Sequence, residues 1–119
     1  MPTVAANLKD VLDEFKFRII NLDPLVAAYC TVEMNPPKLH IWTLIAARHE
    51  PTEEQLARAE RQVSQSFRQL EFDFTTVHLL GRDPIQFIPE SAIPILLRDP
   101  AVLRHFQQAM VSGVNARAS

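Results

Sequence analysis

Four histidines (His40, His49, His78 and His105) and one cysteine, Cys30, are the residues of this chain best suited to metal or nucleophile chemistry. Local zinc sites use His and Cys ligands paired roughly two to five residues apart, and none of these residues stands that close to another. A metal site would therefore have to be assembled from distant segments. Glu33 and His40 are the first candidates, with His49 as a third ligand, because a hairpin turning between Glu33 and His40 sets their side chains together. A cross-strand polar pair at the surface explains the same two residues without a metal. We expect that pair and no metal or other cofactor.

Nucleophilic catalysis needs a Cys or Ser beside a base. Cys30 falls mid-strand among Val26, Ala28 and Val32, where a free thiol behaves as a small buried hydrophobe. No serine stands in a G-x-S-x-G elbow, and Ser64 and Ser66 belong to a helical pattern. Glycine occurs only at positions 81 and 113, so neither a P-loop nor a dinucleotide fingerprint can form. His49, Glu50, Glu53 and Glu54 form an acid–base cluster on paper. A helix start accounts for them better: Thr52-Glu53-Glu54-Gln55 reads as a capping box after Pro51, with acidic residues at the positive end of the dipole. No catalytic residue is expected.

Two surfaces remain. Arg58, Arg61 and Arg68, with Gln65 between them, line the polar face of that helix and could follow a phosphate backbone. Glu54 shares the face, and a charged stripe is usually a solvated helix surface. The other surface belongs to a hairpin. Tyr29, Trp42 and Leu44, flanked by Thr31, Glu33 and His40, form an amphipathic patch of interface composition unless a helix covers it. Phe17 adds an apolar group off the stripe of the first helix.

These residues are positioned by a short series of elements. Thr3 caps a first helix whose Val4, Leu8, Val11, Leu12, Phe15 and Ile19 share one face, and Asn21-Leu22-Asp23-Pro24 ends it. Leu25–Met34 and Lys38–Ala47 read as strands joined at Asn35-Pro36-Pro37. A symmetric hairpin pairs Val32 with Ile41, Cys30 with Thr43, Glu33 with His40 and Thr31 with Trp42. The second helix buries Leu56, Ala59, Val63, Phe67 and Leu70, and a strand over Phe72–Leu80 follows, ended by Gly81-Arg82-Asp83-Pro84. Ile85–Ile88 reads as a short edge strand, and Ser91 to Leu97 as a short helical turn. Asp99 and Pro100 start a final helix burying Val102, Leu103, Phe106, Ala109 and Met110, which Gly113 stops.

The order α-β-β-α-β-α implies an α+β domain with three to four strands and helices packed on one face. One domain over 1–114 with a loose tail at 115–119 accounts for the 119 residues. The element order resembles the type II KH-like arrangement of ribosome-binding factor A and the BolA proteins, and a reduced ferredoxin-like domain. It is a resemblance of topology. The glycine-bearing kink through which KH domains contact RNA has no counterpart between Gln55 and Leu70.

Composition narrows the function further. Hydrophobic residues make up 47% of the chain and the net charge is -2, which argues for a folded chain rather than a disordered one. No apolar run approaches the ~20 residues of a membrane span, and the single cysteine excludes a disulfide within the chain. Lys9, Asp10, Asp13 and Glu14 interrupt any signal-peptide core, so a cytoplasmic location is expected. The favoured reading is a non-catalytic protein-interaction or assembly domain. It would be homodimeric, through the sheet face or edge carrying Tyr29, Thr31, Trp42 and Leu44. An RNA- or ribosome-associated factor using Arg58, Arg61 and Arg68 is the alternative. An enzyme using Glu33 and His40 at the hairpin ranks third.

Overall fold

The computed structural model describes residues 4–108. The expected helix cap at Thr3, the stop at Gly113 and the tail at 115–119 lie outside them. Helix α1 spans Val4–Ile19 and is followed by β1 (Leu25–Glu33), β2 (Lys38–Ile45), α2 (Glu50–Ser66) and β3 (Glu71–His78). A 3-10 turn over Pro84–Phe87 leads to β4 (Ile93–Leu97), and a third helix, α3, occupies 100–108. The strands form one mixed sheet in the order β3-β2-β1-β4. The β1–β2 and β1–β4 pairs are antiparallel, whereas β2 and β3 run parallel, joined by α2.

The α+β class holds, and its first layer follows the helical periodicity. Val11, Phe15 and Ile19 of α1, and Leu56, Ala59 and Val63 of α2, meet Ala28, Cys30, Leu39, Ile41 and Ile45 on one sheet face. Burial pushes the Cys30 thiol up to about 11, so it stays protonated and serves as a core residue. Phe17 points away from this layer and is 78% exposed.

Four local expectations are corrected. The hairpin register differs by two residues, pairing Tyr29 with Trp42, Cys30 with Ile41, Thr31 with His40 and Glu33 with Lys38. Met34 joins the turn, where Asn35 takes a φ of 69°. A shift of two preserves which face each side chain occupies, so the hydrophobic pattern could not detect it. Next, the stretch read as a helical turn before Leu97 is strand β4, while the expected strand at 85–88 lies largely in a 3-10 turn. A run as short as Ile-Pro-Ile-Leu-Leu carries too few residues to separate the two periods, and Pro94 is tolerated because β4 is an edge strand.

The third correction concerns the layers. The helices do not all lie on one face: Val102 and Phe106 of α3, with Phe87 and Ile88, pack on Ala27, Tyr29, Trp42 and Leu44 from the other side. The fourth concerns the start of α2, where the N-cap is His49 rather than Thr52. Its backbone N–H donates to Glu53 Oε2 at 3.2 Å. The Thr52 hydroxyl instead donates to the Asp23 carbonyl at 2.6 Å, with His49 Nδ1 2.7 Å away on its other side. Thr52 is buried and ties the helix start to the loop entering β1.

Candidate functional site

The aromatic patch is largely interior. Tyr29 and Leu44 are both 0% exposed, and the Tyr29 hydroxyl donates to the Phe87 carbonyl. Burial raises that hydroxyl to about 12. Trp42 stacks on Tyr29 with ring centroids 6.1 Å apart and planes within 9°. Tyr29 and Leu44 are therefore core residues covered by α3 and the 3-10 turn, and they offer no surface to a partner. Thr31 and Trp42 remain partly exposed.

At the hairpin end of the same sheet face, His40 sits between two carboxylates. Its Nε2 is 3.0 Å from Glu33 Oε2 and its Nδ1 is 3.2 Å from Asp73 Oδ2. The observed register sets Glu33 diagonally from His40, and β3 supplies Asp73, which hairpin reasoning could not reach. A neutral imidazole donates from one nitrogen only, so the doubly protonated ring is the form that donates to both acids. Glu33 and Asp73 side chains are 66% and 51% exposed, which makes this a solvated polar cluster at the surface. Among the described residues no group of three or more His, Cys, Asp or Glu is arranged to hold a metal ion.

The arginines separate. Arg58 and Arg61 lie exposed on α2, but Arg68 falls beyond its C-cap, Phe67, in the turn before β3. Arg58 lines a surface groove of about 380 Å³ between α1 and α2, with Phe17, Ile20, Gln55 and Gln62. Arg61 lines a different groove.

That second groove, about 360 Å³, runs between α2 and β3 and is lined by Ala57, Glu60, Arg61, Ser64, Gln65 and Phe74. Glu60 is half-buried there, and desolvation pushes its carboxyl up to about 7. It forms no salt bridge or side-chain hydrogen bond among the described residues. Phe74 stacks on Phe72 at 5.6 Å and meets Phe15 at 6.0 Å. Composition gave no signal for this site, because Glu60 reads from sequence as one more charge on a polar helix.

The groove borders an open sheet edge. Among the described residues, strand β3 has β2 on one side and no strand on the other. Leu79 N–H donates to the Ile45 carbonyl at 2.8 Å, and main-chain groups of alternate residues point the same way along a strand. Phe72, Phe74, Thr76 and His78 consequently turn their N–H and C=O groups away from β2. Arg82 caps the His78 carbonyl. Phe72, Phe74 and Thr76 are left with unpaired main-chain donors and acceptors among the described residues. The opposite edge differs: β4 is only five residues long and carries Pro94.

No family model, curated protein or solved structure matches this chain. Among the described residues no helix is long and apolar enough to cross a membrane.

Proposed function

We propose that this chain is a non-catalytic protein-interaction and assembly domain that self-associates through the edge of its sheet, with β3 as the docking strand. The observation that carries the reading is the row of main-chain groups on Phe72, Phe74 and Thr76 that are unpaired among the described residues. A free edge of this kind is a ready template for another strand. It replaces the face bearing Tyr29 and Leu44, which α3 and the 3-10 turn already cover.

Thr76→Pro tests the reading. The Thr76 N–H points away from β2, so proline there leaves the β2–β3 ladder intact, as edge strands permit. It removes a donor that an added strand needs. In analytical ultracentrifugation the wild-type chain should form dimers, and Thr76→Pro should be monomeric with an unchanged far-UV spectrum. A wild-type monomer at every concentration, or a dimer indifferent to the proline, overturns the proposal.

A second reading has its own observation. Arg58, Arg61 and Arg68 are all exposed, and none forms a salt bridge among the described residues. RNA association through them would weaken steeply with salt. Arg61→Glu with Arg68→Glu should then abolish retention of a single-stranded RNA on a filter; no retention by the wild-type chain removes this reading.

A further inference from the structure

The groove beside β3 and the edge itself specify more than an unnamed strand. Glu60 is a half-buried carboxylate without a hydrogen-bond or salt-bridge partner among the described residues. Arg61, the next residue on α2, is exposed and lines the same groove. Phe74 is common to both features: its ring lines the groove and its main chain lies at the middle of the free edge. A partly desolvated carboxylate without a cation beside it gains from an incoming positive group.

We propose that the partner is a second copy of this chain, paired antiparallel with β3 about a two-fold axis through Phe74, with Glu60 of each protomer against the partner's Arg61. This rests on the reading of β3 as the docking edge. A two-fold at Phe74 brings Phe72 opposite the partner's Thr76 and Phe74 opposite the partner's Phe74. Every free N–H and C=O of the three residues then finds a mate, while Arg82 keeps its bond to the His78 carbonyl. The intervening residues are compatible. Asp73 falls opposite the partner's Thr75 and Glu71 opposite the partner's Val77, so no like charges face each other directly.

The same axis sets the two grooves side by side on the helix-covered face. Because Glu60 and Arg61 border Phe74, the two-fold carries each Glu60 toward the partner's Arg61 and generates the contact twice. A self-complementary patch of this kind is what an isologous dimer requires. The result is one continuous sheet running from β4 of one protomer to β4 of its partner, which removes the open edge of each.

Charge reversal and charge exchange test the pairing. Dimer dissociation constants are measured by sedimentation for wild type, Glu60→Arg, Arg61→Glu and the exchanged double variant Glu60→Arg/Arg61→Glu. Each single reversal should weaken the dimer by about tenfold or more, and the double variant should recover most of the loss. Arg61 is exposed, so Arg61→Glu folds and gives a decisive reading even if Glu60→Arg does not. Dimers unaffected by Arg61→Glu, or not recovered in a folded double variant, overturn the pairing. If Thr76→Pro still dissociates such dimers, the edge reading stands and only the Glu60–Arg61 register falls. If wild type never dimerises, both fall.

Discussion

His78 Nε2 stands 2.8 Å from Glu53 Oε1, so the last residue of β3 is tied to the first turn of α2. Glu53 also accepts the His49 N–H at the helix cap. One carboxylate therefore joins the start of the crossover helix to the end of the strand it leads to. The tie closes one end of the interval between α2 and β3, while Glu60 and Phe74 line the open groove farther along.

This tie predicts an acid-sensitive contribution to stability. The hydrogen bond from His78, then that from the His49 N–H and the nearby charges of His78 and Arg48, hold the Glu53 carboxyl below its ordinary value of 4.5. A carboxylate lowered in the folded state stabilises above its unfolded value, and that contribution is lost as pH falls through the folded value. Urea midpoints for wild type should fall on acidification below about pH 4.5. Glu53→Gln should begin lower at neutral pH and show a shallower fall. Parallel curves for the two proteins would refute the assignment.

Glu60 predicts the opposite sign. Its carboxyl is raised from 4.5 to about 7 by burial. The folded chain therefore holds a proton that the unfolded chain releases between those values. Stability from this group is full below about pH 4.5 and is lost as pH rises through about 7. At a dilution that keeps the chain monomeric, Glu60→Gln should match wild type near pH 4.5 and exceed it at pH 8. Equal midpoints at pH 8 would show that the carboxylate is already well solvated. If the proposed pairing forms, the partner's Arg61 favours the ionised form, and the same experiment under dimeric conditions should show a smaller advantage.

How far the chain reveals its own structure depends on how many residues carry each signal. Helices α1 and α2 were legible because Val11, Phe15, Ile19, Leu56, Ala59 and Val63 repeat over several turns. Strand β4 was not, since five residues around Pro94 fit either period. The hairpin faces were readable and its register was not, because Val32 packs on the same side whether it meets Ile41 or Leu39. The Glu33–His40 contact arose from local turning, but Asp73 arrives through a parallel pairing that only the crossover establishes. Burial of Tyr29 depended on where α3 lies, and local pattern left that open.

The first core layer should be sensitive to truncation. Phe15 is 0% exposed and its ring lies 6.0 Å from that of Phe74. Phe15→Ala should cost about 3–5 kcal/mol in chemical denaturation, from lost transfer energy and the cavity left behind. A cost below about 1 kcal/mol would mean that α1 does not hold this position in solution. Phe17→Ala, two residues along and facing outward, should change stability by no more than about 0.5 kcal/mol.

The second layer gives the sharpest contrast, between two stacked aromatics with different polar satisfaction. The Tyr29 hydroxyl donates to the Phe87 carbonyl and so holds the 3-10 turn against the sheet. Trp42 Nε1 is buried and has no hydrogen-bond partner among the described residues. Tyr29→Phe removes a single oxygen yet strands the Phe87 carbonyl, and should cost about 1–3 kcal/mol. Trp42→Phe removes far more atoms, but it also removes an unpaired donor whose burial was unfavourable, and the smaller ring retains a stacking partner in Tyr29. We therefore expect Trp42→Phe to cost less than Tyr29→Phe. Urea unfolding followed by far-UV circular dichroism compares the two on equal terms, since Trp42 is the only tryptophan. A neutral Tyr29→Phe beside a severely destabilising Trp42→Phe would place the strength of this layer in ring packing and leave the Phe87 bond without energetic weight.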